Sequence, residues 1–167
     1  MPLAPELAAA IEALIRSVAG NAFELVSAAP LPGSSLHANW LVEGGGPRFF
    51  VKTAEANCTA HFEAECDGLA ALAAASDDFR VPHALGCGSS ADYAFLVQEY
   101  LPLQKISPEH APRVGQALAA LHKNTGNCYG WHRDNYLGQS LQTNTQSEHW
   151  PIFFAEQRLK PQLERAR

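Results

Sequence analysis

The sequence predicts an α+β fold: a five-stranded antiparallel sheet with one helix inserted after its third strand, followed by a helical segment. Three observations carry this. Short strand-like runs from Phe23, from His37 to Val42 and from Arg48 to Lys52 are separated by tight Pro- and Gly-rich connections. The pattern then turns helical around Phe62 to Leu72. Two more strands, one opened by Val81-Pro82 and one spanning Tyr93 to Tyr100, precede a composition change near Pro102.

The chain has 167 residues, enough for one ordinary domain or two small lobes with a sizeable core. With 47% hydrophobic and 17% charged residues it reads as globular. A net charge of −5 and scattered basic residues argue against nucleic acid or an anionic membrane as the main partner. Cys58, Cys66, Cys87 and Cys128 match no zinc spacing and are too sparse for a secreted disulfide framework, so they read as reduced thiols. Neither a signal peptide nor a membrane-length apolar run is visible, and the expected location is cytoplasmic.

Leu7, Ile11, Leu14, Ile15 and Val18 recur at helical spacing, and Gly20 offers a stop. From Phe23 the pattern is strand-like, with Pro30 and Pro32 ending the run and Gly33-Ser34-Ser35 forming a small-residue loop. Gly44-Gly45-Gly46 reads as a hairpin turn, which makes the first three strands a meander. Gly86 and Gly88 are expected to bracket another turn. Ser107-Pro108 has N-cap and N1 chemistry for a helix with an Ala111, Val114, Ala117, Leu118, Leu121 stripe. Asn124 to Thr145 reads as a long polar connector, and Trp150 to Leu163 as a last helix that Pro161 should kink or break.

The chemistry gathers at two places. Lys52 ends the run Phe49-Phe50-Val51, and the helix that follows carries Glu63 and Glu65. At about 100° per residue, Phe62, Cys66, Leu69 and Leu72 share one arc; Glu65 falls inside it and Glu63 outside. An inward carboxylate needs a partner, and Lys52 is an available cation. Kinase-like folds present a phosphate-binding lysine and its orienting glutamate in this order. The spacing equally permits a Glu65 that reaches solvent and an ordinary strand-end lysine. Gly33-Ser34-Ser35 could let backbone N–H groups approach phosphates, or be simply a turn. Glu99-Tyr100-Leu101 occupies the connector position that would meet adenine through backbone groups.

His132-Arg133-Asp134 spells a protein-kinase catalytic-loop signature. Position 139 is Gln where a metal-binding Asn belongs, and no aspartate follows Asp134, so the match reads as coincidental. The seven histidines form no H-E-x-x-H pair or facial triad, and no metal ligands are assigned. No G-x-S-x-G nucleophile segment occurs either.

These segments resemble, in order and spacing, the fructosamine (ketosamine-3-) kinases, relatives of aminoglycoside and choline kinases. Pro32 to Trp40 is similar to the family's nucleotide loop and following strand, Phe49 to Lys52 to its lysine strand, and Phe62 to Leu69 to its regulatory-type helix. Phe95 to Pro102 resembles its hinge, and Leu118 to His122 its first large-lobe helix. The most specific matches are Tyr129-Gly130-Trp131-His132-Arg133-Asp134-Asn135 and Trp150 to Leu159. The resemblance implies a protein-kinase-like N-terminal lobe over residues 1–102 and the start of a helical large lobe over 103–167.

It also implies ATP-dependent phosphorylation of the 3-hydroxyl of ketosamines, a deglycation chemistry whose partners are ATP and a small glycated amine. Gly33, Ser34, Ser35, Lys52, Glu65, Glu99, Tyr100 and Leu101 would hold the nucleotide, and Trp131 and Asn135 would lie toward the substrate. The family's later H-G-D and D-P segments, which supply the base and the Mg2+ ligands, have no counterpart here; Mg2+ is expected only for the complete enzyme. A truncated product, inactive alone and self-associating through exposed large-lobe helices, is the expectation. The alternatives are half of an aminoglycoside- or choline-type kinase, or a non-catalytic nucleotide-binding module.

Overall fold

The computed structural model describes residues 2–33 and 36–167. The chain divides into two compact units, Met1–Ala117 and Leu118–Arg167. Among the described residues, no helix is long and apolar enough to cross a membrane.

In the first unit, α1 (Pro5–Ala19) buries Leu7, Ile11 and Ile15, while Val18 faces solvent. Gly20 ends the helix at φ 111°, in the left-handed region that favours glycine, and its N–H closes on the Arg16 carbonyl at 3.1 Å. The last turn is tied to the sheet from its own side chains. Glu12 accepts the Leu25 N–H at 3.0 Å and pairs with Arg16, which donates to the Phe23 carbonyl at 2.6 Å.

Five strands follow: β1 (Leu25–Leu31), β2 (Ala38–Gly44), β3 (Arg48–Glu55), β4 (Ala84–Ser90) and β5 (Tyr93–Glu99). They form an antiparallel sheet in the order β1-β2-β3-β5-β4, with α2 (Thr59–Ala75) inserted after β3 behind a short 3₁₀ turn at Ala56–Cys58. The expected meander and the inserted helix are both present. Pro30 does not end β1; it lies inside the strand opposite Trp40, on the edge of the sheet, where a missing N–H is tolerated. A register shift between Leu25 and Ser27 leaves Val26 bulged and exposed on the same edge. Gly86 and Gly88 do not bracket a turn. Both sit inside β4, Gly86 beside a register shift, and the turn falls at Ala91-Asp92 between the paired Ser90 and Tyr93.

Side-chain alternation sends the two faces of the sheet to different helices. Trp40, Val42, Phe49, Val51, Phe95 and Val97 pack with Leu7, Ile11 and Ile15 of α1. On the other face Ala94 and Leu96 pack with Phe62 of α2, bordered by Ala54, Cys58, Cys66, Ala84 and Cys87. Coverage on both faces explains why Phe49-Phe50-Val51 and Phe95-Leu96-Val97 are continuous apolar runs. Leu72 departs from the expected inward arc of α2 and is 44% exposed.

Beyond β5, Ser107 precedes a 3₁₀ turn (Pro108–His110) that leads into α3 (Ala111–Leu121). Its hydroxyl caps no backbone group; it contacts Glu109 at 3.0 Å and His110 Nδ1 at 2.6 Å instead. Of the α3 stripe only Ala117 is buried.

The second unit replaces the expected long connector with a small hairpin, β6 (Asn135–Leu137) and β7 (Ser140–Gln142), turned by Gly138 at φ 62°. Strands of three residues carry too little alternation to be read from sequence. The last helix starts as α4 (Trp150–Phe154), widens into a π turn over Ala155–Leu159, and continues as α5 (Lys160–Arg165). The helix thus continues through Pro161 without a break. The wide turn accommodates a ring that would crowd the preceding carbonyls of a regular helix.

Candidate functional site

Lys52 lies on β3 between Asn39 of β2 and Leu96 of β5, on the sheet face covered by α2. Phe62, 1% exposed, pins the first turns of α2 to that face, and Glu65 follows one turn later. The two side chains meet: Lys52 Nζ donates to Glu65 Oε1 at 2.6 Å, with 24% and 30% of the respective side chains exposed. Gln98 Nε2 donates to the same oxygen at 3.0 Å. Gln98 is itself buried and stands opposite Phe50, diagonal to Lys52 on one face. The Glu65 carboxylate therefore has two donors, one charged and one neutral, arriving from two strands.

Two more groups on β2 and its approach border the pair. His37 packs its ring on Phe62, centroids 5.1 Å apart, and its pKa is lowered first by burial and then by the Lys52 charge. The Asn39 side-chain oxygen, directly across from Lys52, is buried without a hydrogen-bond partner among the described residues. A buried acceptor left open beside a cation is uncommon in a finished core.

At the far end of β5, the Glu99 N–H donates to the His83 carbonyl at 2.8 Å, and its carboxylate pairs with Arg80. The Tyr100 N–H reaches the Arg48 carbonyl at 3.4 Å, and its ring lies under the Arg48 guanidinium. Gly33 takes φ 124°, a left-handed value, while Ser34 and Ser35 lie outside the described residues.

Trp131 and Asn135 belong to the second unit, whose polar centre is Asn144, 3% exposed. Asn144 N–H donates to Asp134 Oδ1 at 2.8 Å, and its Nδ2 donates to the Arg133 carbonyl and to Asn135 Oδ1, both at 3.0 Å. Its Oδ1 accepts from Arg158 Nη2 at 2.5 Å, and the Arg158 guanidinium sits 4.6 Å over the Phe153 ring. Phe153 is buried, whereas Phe154 and Leu163 are exposed. Asp134 and Asn135 hold this network together, and Trp131 is 39% exposed beside His132. Gly130, at φ 112°, leaves room here: a Cβ would fall 2.8 Å from the Asn144 carbonyl oxygen.

Gln98 and Asn39 are the site residues that sequence reading missed. The available signal was parity. Gln98 is two residues from Leu96, hence on the same buried face. No group of three or more His, Cys, Asp or Glu residues able to hold a metal ion occurs among the described residues.

The fructosamine kinase family model matches residues 7–167. A probable ketoamine kinase of Synechocystis is 36% identical over 154 residues, covering 92% of this chain and 52% of the relative. A probable ketoamine kinase of Escherichia coli K12 is 39% identical over 137 residues, covering 81% and 48%. Among solved structures, a candidate fructosamine-3-kinase of Haemophilus somnus superposes with a TM-score of 0.84 at 29% identity, covering 92% of this chain and 52% of its own. One from Thermobifida fusca gives 0.76 at 30% identity, covering 93% and 53%. The chain spans about half the length of the curated relatives it matches. A lysine strand, a paired helix glutamate and a five-stranded sheet in this order, with the match running through residue 167, make the chain a member of the fructosamine kinase family, a family of kinases with a protein-kinase-like fold.

Proposed function

We propose that this chain supplies the nucleotide-holding part of an ATP-dependent kinase that phosphorylates the 3-hydroxyl of small ketosamines in the cytoplasm, in the service of deglycation. The observation that carries this reading is the Lys52–Glu65 contact at 2.6 Å, steadied by Gln98. ATP, when bound, supplies the phosphoryl group. Lys52 Nζ would neutralise phosphate oxygens, and Glu65 would hold that ammonium at a fixed height above β3. The Leu101 N–H, with the Glu99 and Tyr100 backbone around it, would meet the base. Gly33, Ser34 and Ser35 would lie along the phosphates. Trp131 and Asn135 would contribute to the sugar side.

The 167 residues do not transfer phosphate unaided in this reading. The attacking hydroxyl must give its proton to a base, and the last aspartate of the chain, Asp134, already accepts the Asn144 N–H. Mg2+ would take its ligands from outside these residues. Residues 1–102 would act as the small lobe and 103–167 as the start of the large lobe, whose exposed Ile152, Phe154 and Leu163 favour self-association.

Titration of the purified chain with a fluorescent ATP analogue tests the reading. Saturable binding that weakens at least about tenfold in Lys52→Ala is expected, with no ATP-dependent phosphorylation of a fructosamine. Absence of binding, or affinity unchanged by Lys52→Ala, would refute the nucleotide role. Turnover by the chain alone would refute the incompleteness.

A further inference from the structure

Strand register locates the open oxygen of Asn39 within the site. Asn39 lies on β2 between Leu31 of β1 and Lys52 of β3, next to Trp40, whose side chain goes to the opposite face under α1. Asn39 and Lys52 therefore share a rung on the face that carries the Lys52–Glu65 pair. One rung closer to Glu99 the same face is apolar: Ala29, Leu41 and Phe50 stand side by side and lead to Gln98. Leu41 and Phe50 are only partly buried. Successive rungs on one face are about 7 Å apart. Over that distance the face changes from an apolar platform at the connector end to a polar rung beyond it.

Within the polar rung the Asn39 amide has two unlike ends. Its Oδ1 is buried and accepts no hydrogen bond among the described residues, yet the residue as a whole is partly exposed. The Lys52 charge across the rung favours the oxygen inward, because turning the amide over would bury its two N–H donors beside a cation. The amide nitrogen is then the end that a ligand meets. We propose that Asn39 is a phosphate-binding residue, whose Nδ2 donates to a nucleotide phosphate oxygen beside the one that Lys52 neutralises. The platform of Leu41 and Phe50 suits a flat, largely apolar ring, which leaves the polar rung to the charged end of the ligand. Lys52 supplies a point charge there, and Asn39 adds a donor of fixed direction. The inference rests on the nucleotide role proposed above.

Titration of the isotope-labelled chain with ATP and with adenosine, followed by NMR, tests the assignment and separates it from that role. In Asn39→Ala the affinity for ATP should fall about tenfold, the worth of a hydrogen bond to an ionised group, while adenosine binds as it does to the wild type. Asn39→Asp, of nearly equal size, should lose more, because it sets a carboxylate against the phosphates. In the unmutated chain the Asn39 side-chain NH2 signals should move with ATP and stay in place with adenosine, which decides the matter even if a variant misfolds. Unchanged ATP affinity in Asn39→Ala, an equal loss for adenosine, or NH2 signals indifferent to ATP would overturn the inference. If ATP binding weakens in Lys52→Ala but not in Asn39→Ala, the nucleotide role stands and the Asn39 contact falls. A wild-type chain that binds neither ligand loses both.

Discussion

Gln98 Nε2 and Lys52 Nζ converge on a single oxygen of Glu65, at 3.0 and 2.6 Å. Sharing one acceptor makes Gln98 a positioning residue for the ion pair. We expect Gln98→Leu to weaken binding of the ATP analogue about fivefold, the worth of one ordinary hydrogen bond. Gln98→Glu should be worse than Gln98→Leu, because it sets a second carboxylate against Glu65. Titrations of the two variants beside Lys52→Ala give the order; equal affinities for all three would contradict it.

His37 gives the first unit an acid sensitivity. Burial and the Lys52 charge depress its folded-state pKa below 6.5. A depressed pKa contributes stability that is present above 6.5 and lost as pH falls through the folded value. Urea denaturation midpoints should therefore drop between pH 7.5 and 5, and the drop should shrink in His37→Asn. An unchanged slope in that variant would assign the acid response elsewhere.

Cys66 acts at the other end of the scale. Burial first, and then the neighbouring Cys87, push its thiol from 9.0 up to about 12. A raised pKa means stability that is intact below 9.0 and declines as pH rises toward about 12, since only the unfolded chain ionises readily in that window. Reduced wild type should lose stability from pH 9 upward more steeply than Cys66→Ala, as read by denaturant titration under reductant.

In the second unit, Asn144 satisfies three backbone or side-chain partners and Arg158 a fourth. Asn144→Ala would strand several buried groups and should cost about 2–3 kcal/mol. Arg158→Lys should also destabilise, because an ammonium cannot span the Asn144 oxygen and the Thr143 carbonyl as the planar fork does. Amide exchange over residues 133–147 is the readout, with faster exchange expected in both variants.

How far the sequence was readable differs by element. Lys52 and Glu65 were legible because a strand run ends in one and a helical angle turns the other inward. The angle alone left the pairing open, since sequence does not fix which strand a helix crosses. Gln98 was hidden by its neighbours, because the polar Glu99 and the connector beside it mask the inward parity that Leu96 sets. Glycines misplaced the β4 turn, which rests on Ala91 and Asp92 without help from Gly86 or Gly88. The β6–β7 hairpin and the π turn were not legible at all. Each depends on contacts made at a distance, through Asn144 and around Pro161, that leave no periodic trace in the chain.

The bulge at Val26 and the proline at position 30 both fall on β1, an edge strand of the sheet. A bulge twists the edge out of plane and a proline removes a donor from its row, two devices that stop another strand from docking. Extension of the sheet on that side is thereby disfavoured by the strand's own residues. Fibril growth by strand addition along β1 is discouraged from the first residues of the sheet onward.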